Sequence, residues 1–346
     1  MTAGNGTFLD ACNKKEPAHT PVWFMRQAGR YLPSYRAIKG NRSVTEIARD
    51  PSLASQVVVE AVNALGVDAG IIFADIMLPL EAMGVEFTIE ENVGPIVKNP
   101  VRTMDDVNSL AAPDLDGEVA YIFDAIDATI QKLDGAVPLI GFSGAPFTLA
   151  GYMVEGRPSR DLERTKEMMY REPETWALLM GKLTSMTSRY LSSQVAHGVD
   201  AIQLFDSWAG CLSPGDYHGY VSEYTKEINR SLAGKVPRIH FCANSSPLFE
   251  EFLETGADLL SVDWRIQIDD AWERSSGRVG IQGNLDPVVA LSGGEAMRKG
   301  VEGILAQSRD NLGHVFSLGH GVLRETAPEN LQSIVQMVHR MTTKRA

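Results

Sequence analysis

Three arginines stand close together in PVWFMRQAGRYLPSYR, residues 21–36, where Arg26, Arg30 and Arg36 follow directly on an apolar run. A guanidinium is planar, always charged and offers paired N–H donors, so it holds carboxylates through two parallel bonds. Such a cluster suits a ligand with several acidic arms. Other chemistry-bearing residues recur at the downstream ends of short apolar runs. They are Asp75, Ser143, Asp206, Ser207, Cys242, Asn244, Asp263, Asn284 and His320. A carboxylate placed there can steady developing positive charge, and an imidazole or hydroxyl can bind or pass a proton.

The runs that must position these residues are 21–25, 69–75, 138–144, 201–207, 238–242, 259–264, 279–285 and 314–320. They are continuously apolar rather than alternating, the pattern of strands buried on both faces of a parallel sheet. Helix-like segments separate most of them. DPSLASQVVVEAVNALG (50–66) opens on an Asp-Pro start signal and closes on glycine. ETWALLMGKLTSMTSRYLSSQVAHG (174–198) and SPLFEEFLETG (246–256) read the same way. Eight strand candidates alternating with helices predict an α/β fold, a single (β/α)8 barrel of the TIM type. GVEFTIEENVGPIVKNP (84–100) alternates and turns, which predicts a short hairpin inserted after the second strand. No linker or composition break divides the chain, so residues 1–346 are expected to form one catalytic domain. Barrels of this kind place their chemistry at the carboxyl ends of the strands, so the polar residues above would share one face.

The chain has 32 Lys and Arg against 44 Asp and Glu, a net charge of −12. That balance repels nucleic acid and anionic membranes, and an anionic ligand must be met by a local basic focus. Cys12, Cys211 and Cys242 are widely spaced, with no CxxC pair, which suits a reducing, cytoplasmic setting. The first residues lack a charged segment followed by an apolar one, so no signal peptide is expected. No apolar run approaches the roughly 18 residues of a membrane helix. The glycines of GFSGAPFTLAG do not follow the GxGxxG spacing of a nucleotide loop.

In order along the chain, MRQAGRY, IIFADIMLPLEAMG (71–84), LIGFSGAPFTLAGYMVEG (139–156), QLFDSWAG (203–210), IQGNLDP (281–287) and SLGHG (317–321) resemble the uroporphyrinogen decarboxylase family. The resemblance implies a dimeric barrel that works without metal or organic cofactor. It implies as substrate uroporphyrinogen, whose acetate side chains become methyl groups stepwise, giving coproporphyrinogen for haem synthesis. It matches Arg26, Gln27, Ala28, Gly29 and Arg30 to the family's substrate-contacting loop. Asp75 matches the aspartate that faces the four pyrrole N–H groups. Tyr152, Ser207 and His320 match residues at the substrate's carboxylates or ring edge, and Asp75, Arg26 and Tyr152 are the expected catalytic groups. Two departures stand out. Lys39 replaces an arginine frequent in relatives, keeping charge without the fork. HFCANSS (240–246) replaces a Gly-rich stretch, so Asn244 stays outside the expected site.

Each of these residues also has a structural alternative. The arginines suit a surface, Asp75 and Ser207 could cap helices, Tyr152 could simply pack, and His320 could serve a turn. His240 and Cys242 share a strand face and, with His320, would make a conceivable zinc set. A buried thiol beside a hydrogen-bonded histidine is the preferred reading. Two other functions compete with the decarboxylase, namely zinc-dependent methyl transfer and a tetrapyrrole carrier without turnover.

Overall fold

The computed structural model describes residues 6–90, 93–244 and 246–344. Nine strands lie among them: β1 (Gly70–Ile71), β2 (Phe87–Glu90), β3 (Gly94–Val97), β4 (Leu139–Gly144), β5 (Ala201–Phe205), β6 (Arg238–Phe241), β7 (Leu259–Ser261), β8 (Gly280–Leu285) and β9 (His314–Leu318). Seven of them form one parallel sheet in the order β1-β4-β5-β6-β7-β8-β9. Strands β4, β5, β8 and β9 are buried at every residue, as the unbroken apolar runs require of a sheet covered on both faces.

The sheet curls into a barrel-like form, because its two edges meet the same stretch of chain. Phe316 of β9 donates its N–H to the Pro21 carbonyl at 2.8 Å, and the Asp68 N–H, just before β1, reaches the Val22 carbonyl at 2.8 Å. Residues 21–25, expected as a strand, contribute only a single parallel bridge between Val22 and Phe316. The 69–75 run likewise keeps ladder pairing only at Gly70 and Ile71, since its later residues turn away to build the mouth. The 84–100 stretch supplies β2 and β3, paired antiparallel from Phe87–Val97 to Glu90–Gly94. The turn residues 91 and 92 of that expected hairpin lie outside the described residues.

Helices form where the local signals ask for them. Pro51–Leu65 starts with Asp50 accepting the Ser52 and Leu53 N–H groups and ends at Gly66 in the left-handed region, which satisfies orphan amides and stops the helix. Pro173–Ala196 is stitched to β4 by Gln194, whose amide bonds both the N–H and the carbonyl of Phe142 at 2.8 and 2.9 Å. The main apolar cluster runs between sheet and helices, from Val22 to Val338. A smaller cluster joins Trp23, Ala69, Ile140, Ala201, Ile239, Leu259 and Val315 with Phe8, Ala11 and Cys12 of the helix Thr7–Cys12. It takes no residue from the long helices, so the N-terminal helix plugs the sheet's other face. Within that face Trp23 donates to the Gln282 side-chain oxygen at 2.8 Å, and the Gln282 amide donates to Gln203 Oε1 and Ser261 Oγ. This satisfies the buried Gln282 side chain, while the Gln203 Nε2 is buried without a partner.

Candidate active site

The arginine-bearing loop is held from inside by one residue. The Gln27 side chain accepts the Phe24 N–H at 3.1 Å and donates to the Ala69 carbonyl at 3.0 Å. Its own N–H returns to the Phe24 carbonyl, and its carbonyl accepts the Tyr31 hydroxyl. All of its hydrogen-bonding groups therefore have protein partners, and Gln27 is buried. This tight turn leaves Arg26 at φ 62°, a left-handed conformation that costs a residue with a Cβ about 1–2 kcal/mol. Gly29 packs closely: a Cβ there would meet the Arg26 carbonyl at 3.1 Å and the Tyr31 ring at 3.3 Å. Ala28 packs against the main core. Arg36 is used locally, donating to the Arg30 and Tyr31 carbonyls at 2.7 and 2.9 Å. Arg30 is half-buried, and its charge is felt by Tyr35, whose ring lies 5.8 Å from Phe73.

Asp75 sits where the chain leaves β1. Its Oδ1 accepts the Met77 N–H at 2.9 Å, and its carbonyl accepts the Leu78 N–H as the short helix Leu78–Met83 begins. The side chain is partly accessible, yet loss of hydration pushes its carboxyl above the ordinary carboxylate value; the Met77 bond and the Arg26 charge pull the other way. Tyr152 lies on the helix Pro146–Glu155, which follows β4. Burial raises its hydroxyl, a bond with Trp208 opposes this, and both Asp75 and Arg26 act on it. His320, just beyond β9, is held at about 4, first by burial and then by the positive field of Arg26. Its Nδ1 accepts the Gly321 N–H at 2.8 Å, so the neutral ring keeps Nε2–H as its donor. Asp75, Arg26, Tyr152 and His320 thus form one electrostatic group at the carboxyl end of the sheet.

Two sets of supporting contacts were not legible in the sequence. Thr148 donates to buried Asp206 at 2.9 Å and accepts the Trp208 N–H at 3.2 Å. Trp208 then meets Tyr152 edge-on, ring centroids 5.9 Å apart, so the β5 exit steers the tyrosine. Ser207 is half-buried in that exit, between the two. The second set is Arg265. Buried Asp263 accepts its N–H and its Nη1 at 3.0 and 2.7 Å, and the guanidinium lies 4.1 Å over the Trp264 ring. Arg265 is half-exposed and acts electrostatically on His320, which places a third cation at the mouth. In the sequence its only signal is DWR at 263–265, where the arginine stands one residue beyond the apolar run 259–264.

Other singled-out residues serve the fold. Asn284 donates to the Asp263 and Ile266 carbonyls. Asn244 offers its backbone N–H to Asp263 at 2.7 Å from a left-handed conformation. Lys39 closes the helix Pro33–Lys39, where its charge acts on exposed Glu46. His240 points Nδ1 at Thr255 at 3.4 Å, and its Nε2 stands 3.8 Å from Asp206. Cys242 is buried, and burial pushes its thiol well above the usual range. Among the described residues His240, Cys242 and His320 do not form a metal-ligating group; the one such group is His19, Asp68 and His339, at the other end of the sheet. No helix among the described residues is long and apolar enough to cross a membrane.

Comparison with known proteins bears on this geometry. The family model for uroporphyrinogen decarboxylase matches residues 3–341. A uroporphyrinogen decarboxylase of Carboxydothermus hydrogenoformans is 44% identical over 340 residues, 98% of this chain and 97% of that relative. One from Solibacter usitatus is 45% identical over 332 residues, 96% of each. Among solved structures, a methyltransferase from Methanosarcina mazei superposes with a TM-score of 0.82 at 19% identity, covering 99% of both chains. At that identity the likeness is one of fold alone.

Proposed function

The chain belongs to the uroporphyrinogen decarboxylase family, and from that premise we propose that Asp75, Arg26, Tyr152 and His320 carry its reaction. It is a carboxy-lyase of tetrapyrrole synthesis, and it converts the acetate side chains of uroporphyrinogen to methyl groups.

The chemistry sets the demand. Loss of carbon dioxide from an acetate arm leaves an electron pair that needs a sink. A pyrrole provides one when its α-carbon is protonated: the ring becomes cationic and takes the electrons as the C–C bond breaks, which leaves a neutral exocyclic methylene. A second proton on that carbon makes the methyl group and a cationic ring again, and loss of the α-proton restores the pyrrole. The protein's task is to stabilise the cationic stage more than the neutral one, and a metal or organic cofactor has no necessary part in it. Asp75 is assigned that task. Held by the Met77 N–H in a poorly hydrated position, its carboxylate meets the macrocycle's N–H groups and attracts the ring more strongly as the ring turns positive.

Arg26 and Arg30 are assigned to the substrate's carboxylates, together with Ala28, Gly29 and Ser207 along the same mouth. Gln27 is assigned to positioning, because its amide and backbone are already occupied. Arg265, steered by Asp263 and stacked on Trp264, joins them as a further carboxylate partner. Each charge-assisted bond contributes about 1.5–3 kcal/mol. Neutral His320 offers a hydrogen bond without adding charge, and Tyr152, tethered through Trp208, fixes a carboxylate or the Asp75 side. The observation that carries this reading is the convergence of Asp75, Tyr152 and His320 on Arg26 at one end of the sheet, where the Arg26 charge acts on all three and that of Asp75 on Tyr152.

The same reading closes the sheet into an eight-membered ring, with residues 21–25 as first strand and the 84–100 hairpin inserted after the second. It also takes residues 1–346 as one catalytic domain, homodimeric, without nucleic-acid affinity. The three free thiols support a cytoplasmic setting. The test is anaerobic incubation with uroporphyrinogen, with products weighed by mass spectrometry. Successive losses of carbon dioxide, four in all, are expected. Unchanged ligand bound to the protein would instead make it a carrier.

A further inference from the structure

We propose that His19, Asp68 and His339 form a site for a divalent transition-metal ion, zinc or cobalt by preference, at the end of the sheet remote from the chemistry. The three residues come from distant parts of the chain: the segment before the Val22 bridge, the approach to β1, and the helix Pro328–Thr342. His19 Nε2 lies 2.9 Å from Asp68 Oδ1, and His339 Nε2 lies 2.7 Å from Oδ2. One ligand atom from each residue falls within 4.8 Å of the others. The imidazole rings are 4.0 Å apart, both edges turned on the same carboxylate.

Two nitrogens and one oxygen are a donor set that zinc and its neighbours accept, with water completing the shell. Ligand atoms around a tetrahedral ion with bonds near 2.0–2.1 Å stand about 3.3 Å apart; each imidazole nitrogen, facing its own oxygen of Asp68 at 2.9 or 2.7 Å, lies within about half an ångström of that spacing, and one atom from each residue is already within 4.8 Å of the others. The ion takes the place of the two Nε2 protons that otherwise bridge imidazole and carboxylate, and both rings then carry their proton on Nδ1. Asp68 is nearly buried and its Oδ2 also accepts the Val22 N–H at 2.7 Å, which keeps the carboxylate oriented toward the rings. The histidines are partly accessible, at 19% and 27% of their side chains, so an ion has a way in. A chain of net charge −12 favours a cation. Asp68 precedes β1 and Asp75 follows it, so the two sites lie beyond opposite ends of that strand. Occupancy should therefore brace the N-terminal segment against the C-terminal helix without touching turnover.

The experiment uses the full chain stripped of metal, with cobalt(II) alone as spectroscopic probe and zinc(II) for stability. Expected are one cobalt per chain with the visible absorption of a low-coordinate nitrogen–oxygen site, and a higher Tm in zinc than in EDTA. Zinc should also protect two histidines from diethyl pyrocarbonate. His19→Ala and His339→Ala should each lose the band, and zinc should no longer raise Tm; decarboxylation should be the same in zinc and in EDTA. If a variant does not fold, histidine protection in the intact protein decides alone. Absence of binding at micromolar free metal, or binding left intact by both substitutions, would overturn the proposal.

Discussion

Replacing Arg26 by glycine separates two things that this residue does at once. Its backbone stands at φ 62°, which costs about 1–2 kcal/mol for a residue with a Cβ and nothing for glycine. Glycine also loosens the unfolded chain by about 0.4–1 kcal/mol, so the variant should be as stable as the parent or up to about 1.6 kcal/mol more stable. The lost guanidinium acts in the opposite sense. One charge-assisted bond to a substrate carboxylate is worth about 1.5–3 kcal/mol, or roughly 10- to 150-fold in kcat/KM. A third readout is internal. Arg26 helps hold His320 at about 4, so the imidazole should titrate higher in Arg26→Gly, while burial keeps it below the ordinary histidine value. Arg26→Lys retains the field but not the fork, and should leave His320 depressed with intermediate activity. Urea unfolding, anaerobic turnover and an NMR titration of His320 measure the three effects. Near-parental turnover, or a stability loss beyond about 2 kcal/mol, would refute the assignment of Arg26 as a strained ligand-binding residue.

Gly321→Ala should lower turnover with little loss of stability, because the new Cβ would fall 2.6 Å from Arg26 Cδ and a flexible side chain yields before the fold does. Unchanged kinetics would show that Arg26 need not lie against that turn. Trp208→Ala removes the edge-on ring that steers Tyr152; an aromatic pair is worth about 1 kcal/mol, so a loss near fivefold in kcat is expected, and no change would detach Trp208 from the site. Acid should destabilise the protein through His314, whose Nε2 reaches the Gly283 carbonyl at 3.2 Å and whose value burial holds at about 4. The folded value lies below the unfolded 6.5, so this contribution is complete above pH 6.5 and is lost as pH falls toward 4. At 1.36 kcal/mol per unit it amounts to at most about 3 kcal/mol. His314→Gln should flatten that part of the stability profile in urea titrations, and an identical acid loss in both proteins would contradict it.

Much of the scaffold was legible because it is local. Unbroken apolar runs marked β4, β5, β6, β7, β8 and β9 to within a few residues, and Asp50 and Gly66 marked their helix at both ends. The run 69–75 was read too long, since an apolar residue leaving a strand for the mouth looks the same as one inside it. Arg26, Asp75, Tyr152 and His320 were found by resemblance; composition alone left each with a structural alternative. Gln27 shows the limit of that route: a motif says that a residue matters, while only the coordinates show its amide turned inward. Arg265 needed the placement of Asp263 and Trp264 around it. The Thr148–Asp206–Trp208 relay and the His19–Asp68–His339 group join residues up to 320 positions apart, and no periodicity records such pairings.

Asp75 is assigned the central role, an ionised group facing a ring that becomes cationic, and Asp75→Asn tests this most directly. The amide keeps an oxygen for the Met77 N–H, so the local turn survives. Burial raises the carboxyl's folded value, so its ionisation costs stability as pH rises past that value, and the variant should be no less stable at pH 7. What disappears is attraction between unit charges, about 4 kcal/mol at 4 Å with an effective dielectric of 20, or about a thousandfold in rate. Anaerobic single-turnover decarboxylation of uroporphyrinogen by a folded Asp75→Asn protein should fall by that order while ligand binding persists. A rate within about tenfold of the parent would contradict the central role given to this carboxylate.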